Sequence, residues 1–197
     1  MIKNFILKIK KKQFNVCIVG LGYVGLPLAT RLLKKKIKIF GIDTDKKKIN
    51  SLRNGKSYIN LRDKSVFSFF KKNPNNLSTT YEIISKCDVV IICLPTPLKT
   101  NSTKPDMSYI FNCAKNLKKF IKNNHVIVLE STVYPGATRE FANKIIKKKF
   151  DFGKNLFLGY SPERENPGDK NFSYQKTPKV ISGYTDNCKI IVKKIYS

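Results

Sequence analysis

Four short segments of the chain hold residue types whose spacing has a chemical use. The first is Gly20-Leu21-Gly22-Tyr23-Val24-Gly25, a G-x-G-x-x-G that follows the apolar run Asn15–Val19 and opens a helical pattern. Glycine patterns of this length arise by chance and also serve merely to cap turns. A strand before and a helix after give this one a mechanism. The glycines tighten the turn, let backbone approach a pyrophosphate, and let helix and strand pack closely, so that the pyrophosphate rests on the positive helix N-terminus. Asp43 ends the next strand-like run, 23 positions after Gly20, near the roughly 20 expected of the acid that takes ribose hydroxyls. Its carboxylate repels an additional 2′-phosphate, so NAD is favoured over NADP. The neighbouring Lys46–Lys48 run softens that repulsion.

The other three segments each allow two readings. Leu94-Pro95-Thr96-Pro97-Leu98 follows the apolar run Asp88–Cys93; it is either a rigid exit turn or a loop that places the Thr96 hydroxyl on a cofactor. Glu130-Ser131-Thr132-Val133-Tyr134-Pro135-Gly136 precedes a helix. Ser131 or Thr132 is there either an N-cap or part of a nicotinamide subsite. Tyr160-Ser161-Pro162-Glu163-Arg164-Glu165-Asn166-Pro167-Gly168 sets two carboxylates around an arginine between prolines. It is either a surface turn with a local ion pair, or an acid/base carboxylate beside an anion-recognising guanidinium.

The elements that must position these segments alternate. Strands are expected at Asn15–Val19, Ile37–Ile42, Leu77–Thr79, Asp88–Leu94, Val126–Leu129 and Leu156–Tyr160. Helices are expected at Gly25–Lys35, Asp45–Asn54 (stopped by Gly55), Asp63–Lys72, Ser108–Asn123, Ala137–Lys149 and from Asn187 onward, with a helical turn near Tyr81–Ser85. Residues 180–182 read as loop. Alternation of this kind means βαβ units: an α/β, Rossmann-type, doubly wound and mostly parallel sheet with helices on both faces. The chain divides into a basic extension, residues 1–14, and one domain over residues 15–197.

Composition narrows the function classes. No apolar run approaches the roughly 18–20 residues of a membrane span, and lysines interrupt residues 1–14 before any signal-like core forms. Five cysteines, an odd number without a C-x-x-C pair, and a single histidine suit a reduced, cytoplasmic protein with no metal framework. The net charge of +26 raises a nucleic-acid reading. Only five of the 39 basic residues are arginine, however, and the lysines lie in short scattered runs. A solvated lysine surface with no nucleic-acid partner explains that distribution better.

Taken in order, the motifs V-C-I-V-G-L-G-Y-V-G-L-P-L-A, G-I-D-T-D, I-C-L-P-T-P-L, E-S-T-V-Y-P-G-A-T and G-Y-S-P-E-R-E-N-P-G-D-K resemble the UDP-glucose/GDP-mannose dehydrogenase family. The resemblance runs from Asn15 to the C-terminus. The S-P-E-R-x-N-P-G-D loop is most similar to the branch acting on UDP-N-acetylhexosamines, UDP-N-acetylglucosamine above all. The resemblance implies oxidation of the sugar C6 alcohol to a carboxylate with two NAD, through a cysteine thiohemiacetal and thioester. It implies that Gly20, Gly22, Tyr23, Val24, Gly25, Asp43, Lys48, Thr96 and Thr132 contact NAD. Glu163 would handle water and protons, with Thr132 also at the reacting centre, and Arg164 and Glu165 would lie against the UDP-sugar. The family's G-G-H-C-type cysteine segment and its long dimer-forming helix have no counterpart among these 197 residues. The expectation is therefore an NAD-binding part, inactive alone, that pairs with a downstream catalytic half; the complete family enzyme is a homodimer. A UDP-glucose 6-dehydrogenase fragment and a stand-alone nucleotide-binding module are the alternatives.

Overall fold

The β-branched runs of this chain need cover on both faces, and the fold supplies it. The computed structural model describes residues 2–146, 148–163 and 178–197. Strands β1 (Asn15–Val19), β2 (Lys38–Ile42), β3 (Leu77–Ser78), β4 (Val89–Ile92), β5 (His125–Leu129), β6 (Leu156–Tyr160) and β7 (Ser182–Gly183) form one sheet in the order β3-β2-β1-β4-β5-β6-β7. All neighbours are parallel except β6 and β7. The period-2 alternation sorts side chains into two cores. Val16, Ile18, Val89, Ile91, Val126 and Val128 face one, while Cys17, Val19, Val90, Ile92, Ile127 and Leu129 face the other.

Helices α1 (Ile2–Lys10), α2 (Gly25–Lys34), α3 (Lys46–Arg53), α4 (Ser65–Lys72) and the later α7 (Asp186–Tyr196) close the first core. Between them in sequence, α5 (Ser108–Leu117) and α6 (Ala137–Ile145) close the second, together with a 3-10 segment at Tyr81–Lys86. This is the doubly wound Rossmann arrangement, in which the strand order reverses direction between β1 and β4 and leaves a crevice at their carboxyl ends. No helix among the described residues is long and apolar enough to cross a membrane.

Local chemistry sets the helix ends. Asp45 caps α3 by accepting from the Lys47 and Lys48 N–H groups. Gly55, at φ +69°, ends it as expected. Two helices stop short of their expected ends. After α5, a turn at 118–120 delivers Ile121 to the core, and Asn124 at φ +67° swings the chain into β5. After α6, Ile146 is extended (ψ 143°) and Phe150 is buried. In both places a buried apolar residue beyond the helix outweighs the propensity to continue it.

Two further differences concern the termini of the domain. Residues 1–14 are not a mere basic extension. Phe5 and Ile9, one turn apart on α1, are buried, and the Phe5 ring stacks on Phe157 of β6 with centroids 6.5 Å apart. Lys8 reaches Asp88 at 2.9 Å. The lysines that interrupt the apolar run leave one apolar helical face intact. Ser182, read as loop, instead joins Gly183 in the antiparallel edge strand β7; two residues are too few to carry a periodicity.

The single histidine belongs to the core. His125 opens β5 with no exposed surface. Its Nδ1 accepts from the Lys122 N–H (3.3 Å), which leaves Nε2–H to donate to the Cys87 carbonyl (2.9 Å). The first bond requires the neutral ring, whereas the second persists when the ring is charged. Burial, aided by Lys122, pulls its pKa from 6.5 down to about 4. The neutral ring's stabilisation is complete above pH 6.5 and is lost as pH falls towards 4. Unfolding free energy should drop by about 1.4 kcal/mol per pH unit across that window. Denaturant titrations at several pH values should record that slope in the parent chain, and His125→Gln should flatten it. An unchanged slope in the variant would assign it to other groups.

Candidate functional site

The crevice begins at the glycine turn. Gly20 has φ +95°, and a Cβ there would lie 2.5 Å from the Cys93 carbonyl oxygen; a Cβ on Gly25 would lie 2.0 Å from the Gly20 oxygen. Neither position admits a side chain. Among the described residues nothing lies within 4 Å of a Cβ position on Gly22. The turn is thus closed towards β4 and α2 and open on the Gly22 side. The N-cap residue Val24 makes no side-chain cap bond to α2, whose positive end lies at that opening. Tyr23 is exposed at 67%, and Val24 occupies the N-cap position of α2.

Asp43, at the end of β2, is nearly buried. One carboxylate oxygen accepts from the Leu21 N–H (3.0 Å), the other from the Asp45 N–H (3.0 Å). Of the Lys46–Lys48 run, Lys48 approaches Asp43 closely, with Nζ 3.5 Å from Oδ2. Asp43 therefore holds the glycine turn, and its remaining lone pairs stay available to a ligand. Sequence reasoning missed Tyr58, whose hydroxyl donates to the Leu21 carbonyl at 2.6 Å. The S-Y-I segment that carries it has no spacing signal of its own.

The loops after β4 and β5 are tied together. Thr96 Oγ1 donates to the Thr132 carbonyl (2.7 Å), and Ser131 Oγ donates to the Leu94 carbonyl (2.7 Å). Gly136 occupies the N-cap position of α6, so neither Ser131 nor Thr132 is the cap. The loop after β6 joins through Ser161 N–H to Leu129 O and Glu163 N–H to Glu130 O. Arg164 and Glu165 lie outside the described residues.

Beneath these loops lies a charge cluster that sequence reasoning also missed. Glu130, 1% exposed, accepts from Tyr196 Oη (2.5 Å) and pairs with Lys179 (3.0 Å). Lys179 Nζ also lies 3.9 Å from Glu163 Oε2 and over the Tyr196 ring. Burial pushes the Glu130 carboxyl above the usual range, opposed chiefly by Lys179 and the Tyr196 hydrogen bond. Burial, with Glu130 next, pushes the nearby Cys93 thiol up. The sequence signal was faint: 49 residues separate Glu130 from Lys179 and 66 separate it from Tyr196.

A buried pair of this kind costs most when half of it is removed. Glu130→Ala should lower the unfolding free energy by about 3–5 kcal/mol, because Lys179 and Tyr196 both lose the carboxylate they share. Lys154→Ala, which breaks an exposed pair with Asp151, should leave the urea midpoint nearly unchanged. A loss below about 1 kcal/mol for Glu130→Ala would mean that water screens the cluster.

Comparison with known proteins gives this geometry its context. Residues 14–197 match the model of the UDP-glucose/GDP-mannose dehydrogenase family, NAD binding domain. The UDP-N-acetyl-D-glucosamine 6-dehydrogenase of Pseudomonas aeruginosa is 36% identical over 94% of this chain and 43% of its own length. The UDP-N-acetyl-D-mannosamine dehydrogenase of Methanococcus aeolicus is 33% identical over 96% of this chain and 43% of its own. Among solved structures, the UDP-N-acetyl-mannosamine dehydrogenase of Staphylococcus aureus superposes with a TM-score of 0.79 at 28% identity, over 92% of this chain and 44% of that one. The chain thus spans less than half the length of these relatives. With its glycine turn, its Asp43 and its strand order, the chain belongs to the UDP-glucose/GDP-mannose dehydrogenase family and is an NAD-binding domain of it.

Proposed function

We propose that this domain accepts the hydride in the C6 oxidation of a UDP-N-acetylhexosamine, UDP-N-acetylglucosamine in the first place. The observation that carries the reading is the turn closed at Gly20 and Gly25 and open at Gly22, with Asp43 pinned beside it and the β4, β5 and β6 loops at the same sheet edge. Bound NAD supplies the hydride acceptor. In this reading, Gly20, Gly22 and Gly25 admit the pyrophosphate to the α2 N-terminus, where Tyr23 and Val24 form the first turn. Asp43 accepts the adenosine ribose hydroxyls, with Lys48 partly neutralising it. The Thr96 proton is directed at the Thr132 carbonyl, so Thr96 meets the nicotinamide half as an acceptor, beside Thr132.

Glu163 is the acid/base carboxylate of the reading. Its side chain keeps 16% exposure, enough to exchange a proton with water or substrate. Arg164 and Glu165, which follow it in sequence, take the nucleotide sugar. Support for the UDP-N-acetylhexosamine class comes from the S-P-E-R-E-N-P-G-D loop and from relatives named for two such sugars. In this reading the step from aldehyde to acid uses a thiolate nucleophile. All five cysteines here are buried, and burial raises the Cys17, Cys93 and Cys113 thiols, Cys113 to about 12. In this reading the nucleophile comes from outside these 197 residues, which make no acid by themselves.

Calorimetric titration should show NAD binding that is tighter than NADP binding. Asp43→Ala should weaken NAD by roughly tenfold or more, about the value of a charged hydrogen-bond acceptor. Tighter NADP than NAD in the parent chain would remove Asp43 from the ribose.

Turnover should need the missing chemistry. The chain mixed with the C-terminal half of the Pseudomonas aeruginosa relative should form NADH from UDP-N-acetylglucosamine if the halves dock. Glu163→Gln should slow that reaction by roughly 10²–10⁴-fold. Acid production by the 197-residue chain alone would refute the separation of the two steps, and full activity of Glu163→Gln would reduce its loop to a structural turn.

A further inference from the structure

Leu21, between the first two glycines, is gripped from three sides. Its side chain is fully buried against β2 at Gly41, where a Cβ would lie 2.9 Å from Leu21 Cδ1. Its N–H is held by Asp43 at 3.0 Å, and its carbonyl accepts from the Tyr58 hydroxyl at 2.6 Å. The peptide units on both sides of this residue are therefore oriented by side chains from outside the turn. The following residue, Gly22, is the one that presents an open face.

We propose that Tyr58 is a positioning residue for cofactor binding, its hydroxyl setting the Leu21–Gly22 peptide so that the backbone at Gly22 faces the pyrophosphate. The proposal rests on the reading that the Gly20–Gly25 turn carries the pyrophosphate. Tyr58 sits in the connection between α3 and α4, just beyond the helix stop at Gly55. Its half-buried ring packs on the core formed by α2, α3 and α4. The hydroxyl is thus delivered by a connection anchored independently of the glycine turn. Burial, with the charges of Asp43 and Asp45, pushes the phenol's pKa upward, so it remains a donor throughout the neutral range.

A single hydrogen bond that orients a binding loop acts on ligands that use the loop and spares those that do not. Tyr58→Phe deletes only the hydroxyl. In calorimetric titrations of the full chain, it should weaken NAD and ADP-ribose alike by roughly 3- to 10-fold. The affinity for adenosine, which lacks the pyrophosphate, should stay within about twofold, the scatter of a lost contact elsewhere.

Gly22→Val is the companion variant. Its Cβ enters open space, so it should melt near the parent while losing NAD binding. Equal weakening of adenosine and NAD by Tyr58→Phe would make Tyr58 a structural residue and overturn the inference. So would unchanged NAD binding in a folded Tyr58→Phe chain when Gly22→Val has lost it. Parent-like NAD binding by Gly22→Val would instead sink the underlying reading of the turn.

Discussion

The structure depends most on a close backbone approach at Gly20. There the carboxyl ends of β1, β2 and β4 meet: the Gly20 N–H donates to the Ile42 carbonyl, and the Cys93 carbonyl occupies the space where a Cβ would stand. A parallel sheet puts all its carboxyl ends on one edge, but only a residue without a side chain lets the chain turn into α2 against the neighbouring strand. From that contact follow the orientation of α2, the opening at Gly22 and the place of Asp43.

Asp43 shows how one residue serves stability and recognition together. Its carboxylate is held by two backbone N–H groups, and through Leu21 it holds the turn. A carboxylate that accepts fixed N–H bonds is already aimed, without reorganisation, when a ligand arrives. The same economy applies at the loops after β4 and β5. Thr96 donates to the Thr132 carbonyl and Ser131 to the Leu94 carbonyl, so hydrogen bonds tie the two loops together on the far side of the crevice.

The buried Glu130–Lys179–Tyr196 cluster brings the last part of the chain to the same edge. Lys179 precedes β7 and Tyr196 closes α7, and both converge on the residue that follows β5. A charge pair withdrawn from water tolerates few geometries, because each member is costly without the other. The pair therefore fixes where α7 ends relative to the loop that holds Glu163.

The alternation of apolar runs, read with G-x-G-x-x-G and Asp43, determined the Rossmann class, six strands and most helices, because local periodicity and short-range glycine geometry are written in consecutive residues; the five motifs taken in order carried the family resemblance. Even the stop at Gly55 was legible. Tertiary structure alone decided what lies far apart in sequence. Phe5 and Ile9 joined the core because Phe157, about 150 residues later, offered a surface. Ser131 proved a loop cross-link rather than a cap because the Leu94 carbonyl, at the adjacent strand end, accepts its hydrogen bond. Tyr58 and Lys179 have no pattern to betray them. Each matters through long-range contacts, Tyr58 to Leu21 and Lys179 to Glu130, and such contacts exist only after the sheet has brought its carboxyl ends together.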